Sequence, residues 1–467
     1  MSSFDYNGYL SPLTWRYGSA DMRQIWSEVH KRRLMRQVWL ALATAQAPAG
    51  LVTPAQLAEL KANVANIDIE RSQQIEQDTR HDVMAEIKCY AEQCPGAGGI
   101  IHLGATSADI TDNVDVMRQR EGLVLLLDGL QAVLQELVRL MRTTADLPVM
   151  AHTHIQPAEP TTLGYRFAVY AQDLFQDWQD LRALRAELKG KGLKGAVGTQ
   201  ASYAELLAET DLTPAQMEAE AMHQLNLPYF PIATQTYSRQ QDLRLLQVLA
   251  GLAASLHKFA LDFRILQSPP FGEWAEPFGQ KQVGSSAMPF KRNPINTENI
   301  CSLARYVAGL PAMAWDNASQ AILERSLDDS ANRRLFLAEA FLISDELLRR
   351  TGRLLQGMQL DEIAMARNLA QYGPFAATER VMLAVAAAGG SRQEAHEWLR
   401  ENSLRAWAAL REGAPANPLA DYVAADERIL AYLAPTRIRE LMDASNHTGT
   451  AAARALSFAQ FIAAECA

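Results

Sequence analysis

Apolar residues recur along the middle of the chain at the spacing of an α-helix, in three long segments. They lie three, four or seven positions apart, with charged residues between them. The segments cover residues 110–141, 163–188 and 243–266. A helix of roughly thirty residues is about 45 Å long, at about 1.5 Å per residue. Further helix-like runs follow Asn299.

Helices of this length bury one stripe against their neighbours, so the pattern predicts a long bundle. The third segment is rich in alanine, including Ala250, Ala253 and Ala260, and its small side chains allow helices to approach closely. Some of that face is a candidate for packing between subunits. Because no alternation of period two is sustained, no major sheet is expected. The predicted fold class is all-α, with an elongated central bundle flanked by smaller N- and C-terminal helical domains.

Breaks in the pattern predict three domains. Residues 1–106 carry shorter helical runs, and residues 107–360 form the bundle. Residues 361–467 carry shorter alanine-rich helices, interrupted at Gly373-Pro374 and Gly389-Gly390.

Composition narrows the classes of function. The chain has 467 residues, 48% of them hydrophobic, and is expected to be globular. It shows neither a signal-peptide pattern nor an apolar stretch of about eighteen residues, so a cytoplasmic protein without a membrane anchor is expected. Four cysteines are too few for a disulfide scaffold, and the Cys89-x4-Cys94 pair lacks a second pair for zinc. No metal or cofactor is therefore predicted.

The charge balance bears on partners. A net charge of −9 disfavours a general nucleic-acid surface, because phosphate backbones require a basic stripe. An anionic ligand would instead need a local cluster of arginines.

Two Gly-rich segments have the composition of phosphate loops without their spacing. The segment at 95–99 lacks a third glycine at the required offset and a preceding strand, and so predicts a turn. The segment at 189–195 lacks the Gly-Lys-Ser/Thr ending. Its lysines fit either an anion pocket or a solvated, flexible connection.

Residues 284–294 are the strongest candidate for chemistry. Small residues, two hydroxyls, a lysine and two prolines occur there without helix or strand periodicity. Gly284 permits close approach to a ligand, and Pro289 and Pro294 stiffen the backbone. This combination predicts a functional loop.

Four other segments have unusual composition. Residues 79–82 place a hydroxyl, a cation, an imidazole and a carboxylate in succession. The hydroxyls at 106–107 suit either a helix N-cap or an anion seat. Residues 153–157 place an imidazole in the connection between the first two long helices. Residues 325–334 carry cations and hydroxyls at helical spacing, which is also typical of a solvated face.

Together these segments resemble the adenylosuccinate lyase family of the fumarase/aspartase superfamily. The loop alone indicates the superfamily, whereas the Arg-His-Asp, Gln-Thr-Tyr-Ser-Arg and Arg325 segments indicate this branch. The resemblance ends near Arg392. Its motifs cover residues 15–17, 79–83, 102–107, 153–158, 195–202, 235–239, 284–294 and 324–330.

The resemblance implies a β-elimination in purine nucleotide biosynthesis. Adenylosuccinate is split into AMP and fumarate, and the related succinylated imidazole-carboxamide ribotide into its free carboxamide and fumarate. Such a reaction needs a base, fixed positive charge at the developing aci-carboxylate and an acid for the leaving nitrogen. The implied partners are small succinyl nucleotides, and the implied assembly is a homotetramer with active sites shared between subunits.

Positions in the motifs imply the roles of individual residues. Ser285 is the implied base, activated by Lys291 and the loop amides, and His154 is the implied general acid, oriented or assisted by His81. Asn293 is implied to hold the succinyl carboxylate. The implied substrate contacts are Arg16, Tyr17, Arg325, Ser330 and Arg334 at the phosphate and ribose, and Arg80, Asp82, Thr106, Ser107, Thr153 and Gln235 elsewhere. Asn299 departs from the pattern, since some members carry arginine there.

Two rival hypotheses remain. An argininosuccinate lyase or a carboxymuconate cycloisomerase would share Ser285 and His154, but it has no use for a phosphate-binding pair such as Arg325 and Arg334. A catalytically silent relative, such as a lens crystallin, would keep the bundle without the chemistry. Every expected catalytic residue type is present in this chain.

Overall fold

The computed structural model describes residues 6–279 and 281–466. Its α-helices are α1 (Pro12–Trp15), α2 (Ala20–Ile25), α3 (Glu28–Gln46), α4 (Pro54–Asn63), α5 (Ile69–Thr79), α6 (Asp82–Gln93), α7 (Ser107–Thr143), α8 (Leu163–Glu187), α9 (Ala201–Leu207), α10 (Pro214–Gln224), α11 (Gln240–Gln267), α12 (Ile295–Ser319), α13 (Asp329–Gly357), α14 (Glu362–Ala387), α15 (Arg392–Arg411), α16 (Leu419–Ala424), α17 (Glu427–Leu430), α18 (Pro435–Met442) and α19 (Ala451–Glu465). Short 3₁₀ turns cover Ala47–Ala49, Gly98–Ile100 and Ala444–Asn446. The strands are β1 (Pro148–Thr153), β2 (Gln156–Thr162), β3 (Trp274–Ala275) and β4 (Gln359–Leu360).

The long helices predicted from periodicity are present. The three central segments form α7, α8 and α11, and the runs beyond them form α12, α13 and α14. Strands occur only as two short antiparallel pairs within the described ranges. The all-α fold class is confirmed.

The chain divides into two compact units. The first runs to Gly129 and includes Asp177–Ala254 and Ser302–Arg349, and the second contains Leu130–Gln176, Ser255–Cys301 and the residues from Arg350 onward. The division falls inside α7, α8, α11, α12 and α13. The three domains predicted from the sequence stay a prediction.

In the first unit, the N-terminal helices pack around the start of α7. Their shared core is built from apolar side chains of α3, α6 and α7, including Leu34, Val38, Tyr90, Ile110 and Val114. The predicted turn at 95–99 leads into a 3₁₀ turn beside this core. These contacts fix the ends of α6 and α7 at which candidate site residues lie.

In the second unit, an aromatic cluster anchors β3. The ring of Trp274 stacks on Phe167 with centroids 5.2 Å apart and meets Phe263 edge-on at 5.3 Å. Trp274 also pairs with Leu360 of β4. Because β3 shortly precedes the 284–294 loop, the cluster gives that loop a fixed origin.

The connection between α7 and α8 is a β-hairpin, which the sequence did not predict. Its strands pair from Pro148 with Thr162 to Thr153 with Gln156, with an irregularity between Met150 and His152. Two prolines in β2 argue against a strand, because proline cannot donate to a ladder. Packing outweighs that signal: Met150 shares a buried core with the C-terminal helices.

Helix α11 is the one described helix that is long and apolar enough to cross a membrane by length and composition. Many of its apolar side chains, including Leu246, Leu249 and Phe263, are buried in the protein. Core helices of soluble proteins have the same length and apolar composition, so these properties of α11 are only weak evidence for a membrane span.

Candidate active site

A cavity of about 800 Å³ lies in the first unit, where α6, α7 and α13 begin. Asp82 of α6, Ser107 of α7 and Ser330 of α13 line it with their first turns. Amides in a first turn have no partner within the helix, and the helix dipole is positive there, so such a cavity suits anions. Nine predicted site residues line it: Arg80, His81, Asp82, Thr106, Ser107, Gln235, Arg325, Ser330 and Arg334.

The His81 imidazole is oriented by the start of α6. Its Nδ1 accepts a hydrogen bond from the Met84 amide at 3.3 Å and thereby caps the helix. An accepting Nδ1 leaves the proton of a neutral imidazole on Nε2. That nitrogen is 3.5 Å from Ser107 Oγ. The cap therefore directs an N–H group toward the first turn of α7.

Arg334 extends from the first turns of α13 toward Asp82. Its Nη2 is 3.0 Å from Asp82 Oδ2, and 60% of its side chain is exposed. A guanidinium has five N–H donors, and this bond uses one of them. Arg334 is thus held at the cavity by one carboxylate and has the donor geometry to grip a phosphate.

A buried ion-pair network, absent from the predicted site, also lines the cavity. Arg239 donates to Asp112 at 3.0 Å and to Asp329 at 2.6 Å. Arg325 approaches the second oxygen of Asp329 at 3.0 Å. Partly buried Arg325 is therefore held by Asp329, and buried Arg239 holds the same carboxylate.

Arg333 forms the second half of this network. It donates to Asp242 at 2.7 Å and to the Tyr237 hydroxyl at 2.8 Å, and lies 3.2 Å from Asp115. Burial raises the pKa of Asp115, but the guanidiniums of Arg333 and Arg118 outweigh it, and the pKa lies below its ordinary value. A solvated face is therefore the wrong interpretation for Arg333 and for buried Asp329.

The lysine-rich segment at 189–195 also differs from both expectations. Lys191 is fully buried and donates to Asp109 at 2.6 Å, and Lys194 is nearly buried and pairs with Glu218. Burial raises the pKa of Glu218 although Lys194 opposes the shift. At these two lysines the segment is neither an anion pocket nor a solvated connection. The carboxylates come from α7 and α10, and no local spacing indicates that they meet here.

Asp109 links that buried segment to the start of α7. Its Oδ2 accepts from the Thr106 amide at 3.1 Å and from the Gly195 amide at 3.0 Å. The bond to Thr106 ties the first turn of α7 back on itself. Asp109 thus fixes the position of the helix start that carries Thr106 and Ser107.

In the second unit, His154 lies in the two-residue turn of the β1–β2 hairpin. His154 and Ile155 both have positive φ, at 52° and 60°. Two left-handed residues in a row form the tight turn that matches the twist of a hairpin, but a β-branched residue there is strained. His154 and Thr153 are exposed at this turn.

The 284–294 loop also belongs to the second unit. Ser285 Oγ accepts hydrogen bonds from the amides of Ala287 at 3.3 Å and Met288 at 3.1 Å. A Cβ on Gly284 would lie 2.2 Å from the Lys291 carbonyl oxygen, so this position requires glycine. Lys291 is exposed. Two backbone amides of the loop thus hold the hydroxyl of Ser285.

Asn293 closes the loop in the structure. Its Nδ2 donates to the Gly284 carbonyl at 2.9 Å. This bond uses one of the two N–H donors of the Asn293 amide, and the role that the resemblance implies for Asn293, holding a carboxylate of the substrate, stays a prediction.

Arg16 and Tyr17 lie in the first unit but do not line the cavity. The Arg16 guanidinium lies over the rings of Trp15 and Tyr17, 5.7 and 5.8 Å from their centroids. The next residue, Gly18, donates its amide to Glu346 of α13 at 3.2 Å.

Metal-ligating side chains do not cluster in the part of the chain that the structure describes: no group of three or more His, Cys, Asp and Glu is placed to hold an ion. The four cysteines are buried, and no disulfide joins them in the described part of the chain.

Models of known protein families match most of the chain. The family model described as Lyase matches residues 14–309, and the model described as Adenylosuccinate lyase C-terminus matches residues 374–455. The second match extends beyond Arg392, where the resemblance of the motifs ends. In fold, the 3-carboxy-cis,cis-muconate lactonizing enzyme from Pseudomonas putida is similar with a TM-score of 0.84 and 26% identity, covering 97% of this chain and 99% of that one.

Curated relatives give a narrower assignment. The adenylosuccinate lyase of Schizosaccharomyces pombe is 37% identical over 462 residues, covering 97% of this chain and 94% of that protein. The adenylosuccinate lyase of Saccharomyces cerevisiae is 37% identical over 428 residues, covering 91% and 88%. The resemblance predicted from the motifs is confirmed, and the chain belongs to the adenylosuccinate lyase family of carbon–nitrogen lyases.

Proposed function

We propose that this protein cleaves adenylosuccinate into AMP and fumarate, and succinylaminoimidazole-carboxamide ribotide into aminoimidazole-carboxamide ribotide and fumarate. Both reactions are β-eliminations in purine nucleotide biosynthesis. Full-length likeness to adenylosuccinate lyases supports this function over that of other superfamily members.

The cavity of the first unit carries the proposal. These substrates bear a phosphate and two carboxylates, and the cavity combines the starts of α6, α7 and α13 with arginines and hydroxyls. We assign the phosphate to Arg325, Ser330 and Arg334 near the start of α13. A ligand without a phosphate leaves these donors unused, which favours a nucleotide over an argininosuccinate or a muconate.

Ser285 is the proposed base. A serine hydroxyl is too weakly acidic to act unaided, so its ionised form must be stabilised. The amides of Ala287 and Met288 already donate to Ser285 Oγ, and such donors gain strength as negative charge develops. Lys291 supplies a positive charge within the same loop.

The proton balance assigns the remaining roles. Ser285 removes a proton from the carbon beside a carboxylate, and the bond from the neighbouring carbon to nitrogen then breaks. Its electrons pass to the leaving nitrogen, which takes a proton from His154. We assign His81, whose Nε2–H is directed by its helix cap, to orient or assist this acid.

Fumarate release tests the proposed reaction. Purified protein is incubated separately with adenylosuccinate, the succinylated carboxamide ribotide and argininosuccinate, and product is followed in the ultraviolet. We expect one fumarate and one nucleotide product from each succinyl nucleotide, and none from argininosuccinate. Turnover of argininosuccinate alone, or of none of the three, would overturn the assignment.

We also propose a cytoplasmic homotetramer whose sites combine residues from different subunits. Mixing inactive His154→Ala with inactive Ser285→Ala, followed by reassembly, should then restore activity. With random 1:1 assembly, roughly a quarter of sites receive both intact residues. Each variant reassembled alone is the control. Persistent inactivity of mixed tetramers confirmed by mass would show that one chain supplies both groups.

A further inference from the structure

The two ends of the catalytic loop are joined by one carboxylate. Glu276 lies before the loop and is only 6% exposed. Its Oε2 accepts from the Asn296 amide at 3.0 Å and the Asn296 side chain at 2.9 Å. Its Oε1 accepts from the Thr297 amide and hydroxyl, both at 2.8 Å. Four donors at the start of α12 thus converge on a residue from the other end of the loop.

A second residue reinforces this junction. Gln267, the last residue of α11, accepts from the Glu276 amide at 2.9 Å and donates to the Arg292 carbonyl at 3.3 Å. The base of the loop is therefore bonded to a long helix as well as to itself.

The bonds at the base differ in kind from those around Ser285. Hydrogen bonds to a buried carboxylate are charge-assisted and costly to break, because an unpaired charge would remain in the interior. Lys291 and the other residues around the loop tip are largely exposed. Glu276 therefore holds a firm base beneath a tip with fewer constraints.

We propose that Glu276 is a positioning residue for the elimination: by joining the ends of the loop, it sets where the Ser285 hydroxyl is presented. This inference rests on the proposed function, in which Ser285 is the base. Glu276 acts through the loop backbone rather than on the substrate. Loss of its bonds should consequently affect the chemical step more than binding of the nucleotide, whose proposed contacts lie in the first unit.

The decisive variant is Glu276→Gln. A glutamine keeps the shape but turns one acceptor oxygen into an N–H group that faces two donors. We expect kcat to fall by about a hundredfold, as for a reacting group misplaced by about 1 Å, with KM changed less than about threefold.

Limited trypsin digestion adds a readout of the loop itself. Lys281, Lys291 and Arg292 are exposed cleavage sites between the two ends. Weaker bonds at the base should raise the rate of cutting at these residues by about tenfold, because local opening exposes them more often.

Glu273→Gln is the matched control. Glu273 is also buried in the second unit and accepts from Arg166 at 2.8 Å and Asn368 at 3.1 Å, but it does not bond to the far end of the loop. A general loss of stability should therefore appear in both variants. Reduced kcat and faster loop cleavage should appear only in Glu276→Gln.

Thr297→Val provides a second test in case Glu276→Gln fails to fold. It removes one hydroxyl donor to Glu276 and keeps the size of the side chain. The same changes are expected, at about three- to tenfold in kcat. Unchanged kcat and cleavage in the folded variants would overturn the positioning role. An inactive Ser285→Ala with normal Glu276→Gln rejects this inference alone, whereas an active Ser285→Ala rejects the proposed base.

Discussion

The cavity of the first unit and the 284–294 loop of the second unit, the proposed catalytic loop, are built by opposite means. Side chains at the cavity rest on buried ion pairs, such as Arg333 with Asp242 and Arg239 with Asp112. The tip of the loop is exposed, and Ser285 is held mainly by amides of its own backbone. The buried ion pairs thus fix the wall of the cavity, whereas the proposed base occupies a segment with few packing constraints.

This difference has a physical reason. Donors that grip a phosphate must hold their geometry before the ligand arrives, since ordering them on binding would cost affinity. A base must approach a carbon that is accessible only after the substrate has entered. We therefore expect variants of the two regions to affect different quantities.

The largest effect should come from Ser285→Ala. Removal of the proposed base is expected to lower kcat by about 10³- to 10⁴-fold, because proton transfer occurs only in the transition state. The adjacent Ser286→Ala is the matched control and should retain kcat within about tenfold. Fumarate release under saturating adenylosuccinate measures both. The reverse order of the two variants would move the base to Ser286.

The free energy of unfolding should depend more on the residues at the cavity than on those of the loop. Asp242 is fully buried and accepts from Tyr237 and Arg333, so Asp242→Asn is expected to cost about 3 to 5 kcal/mol by breaking a buried pair. Asn293→Ala removes a loop bond and should cost less than about 1 kcal/mol. Urea unfolding of both variants measures the difference. Equal losses would contradict the contrast between a fixed cavity and a lightly constrained loop.

A smaller and pH-dependent effect is expected at His102, beneath the start of α7. Burial lowers the pKa of His102 to about 4, and Asp109 opposes the shift only in part. The unfolded imidazole titrates near about 6.5 and so binds more protons between these values. The stabilisation is complete above the unfolded pKa and is lost as pH falls, by about 2 to 3 kcal/mol at about pH 4.5.

The variant His102→Asn isolates this contribution. Asparagine tolerates the positive φ of 70° and can accept the bond from Trp39. Urea unfolding at about pH 7 and pH 4.5 should show a smaller loss of stability in the variant than in the original chain. Equal losses would mean that His102 is not held neutral by the fold.

The smallest effect on catalysis is predicted for Arg334→Ala. Its exposed guanidinium should hold the phosphate in ground and transition states alike, so KM should rise about tenfold and kcat should change less. The response should shrink for an analogue without the phosphate. Arg349→Ala, an exposed arginine on the same helix that pairs with Glu346, is the control. Equal responses to both analogues would place Arg334 away from the phosphate.

The long helices could be predicted because their periodicity is local. Each of α7, α8 and α11 carries an apolar stripe over many turns, and such repetition outweighs single exceptions. The β1–β2 hairpin could not be predicted, because Pro157 and Pro160 give β2 the composition of a loop. Its formation depends on packing with the distant C-terminal helices.

Site residues also divide into those that local sequence indicates and those that depend on distant segments. His81, Ser107 and Arg334 were indicated by unusual local composition, and the structure brings them to one cavity. The partners of Lys191 and Arg333 were missed, because each ion pair joins segments far apart in the chain. From the sequence alone, a lysine or arginine is predicted to be exposed to solvent. Its carboxylate partner can be identified only once the fold is known.

The most direct test of the separation between binding and chemistry is the dissociation constant of adenylosuccinate for Ser285→Ala, measured by calorimetry beside Ser285→Ala/Arg334→Ala. The first variant is expected to turn the ligand over about 10³- to 10⁴-fold more slowly, so binding is observed with little product formed. We predict that Ser285→Ala binds within about tenfold of the KM of the original chain and that the added Arg334→Ala weakens binding about tenfold more. Loss of binding in Ser285→Ala itself, with no further loss on removing Arg334, would contradict the account.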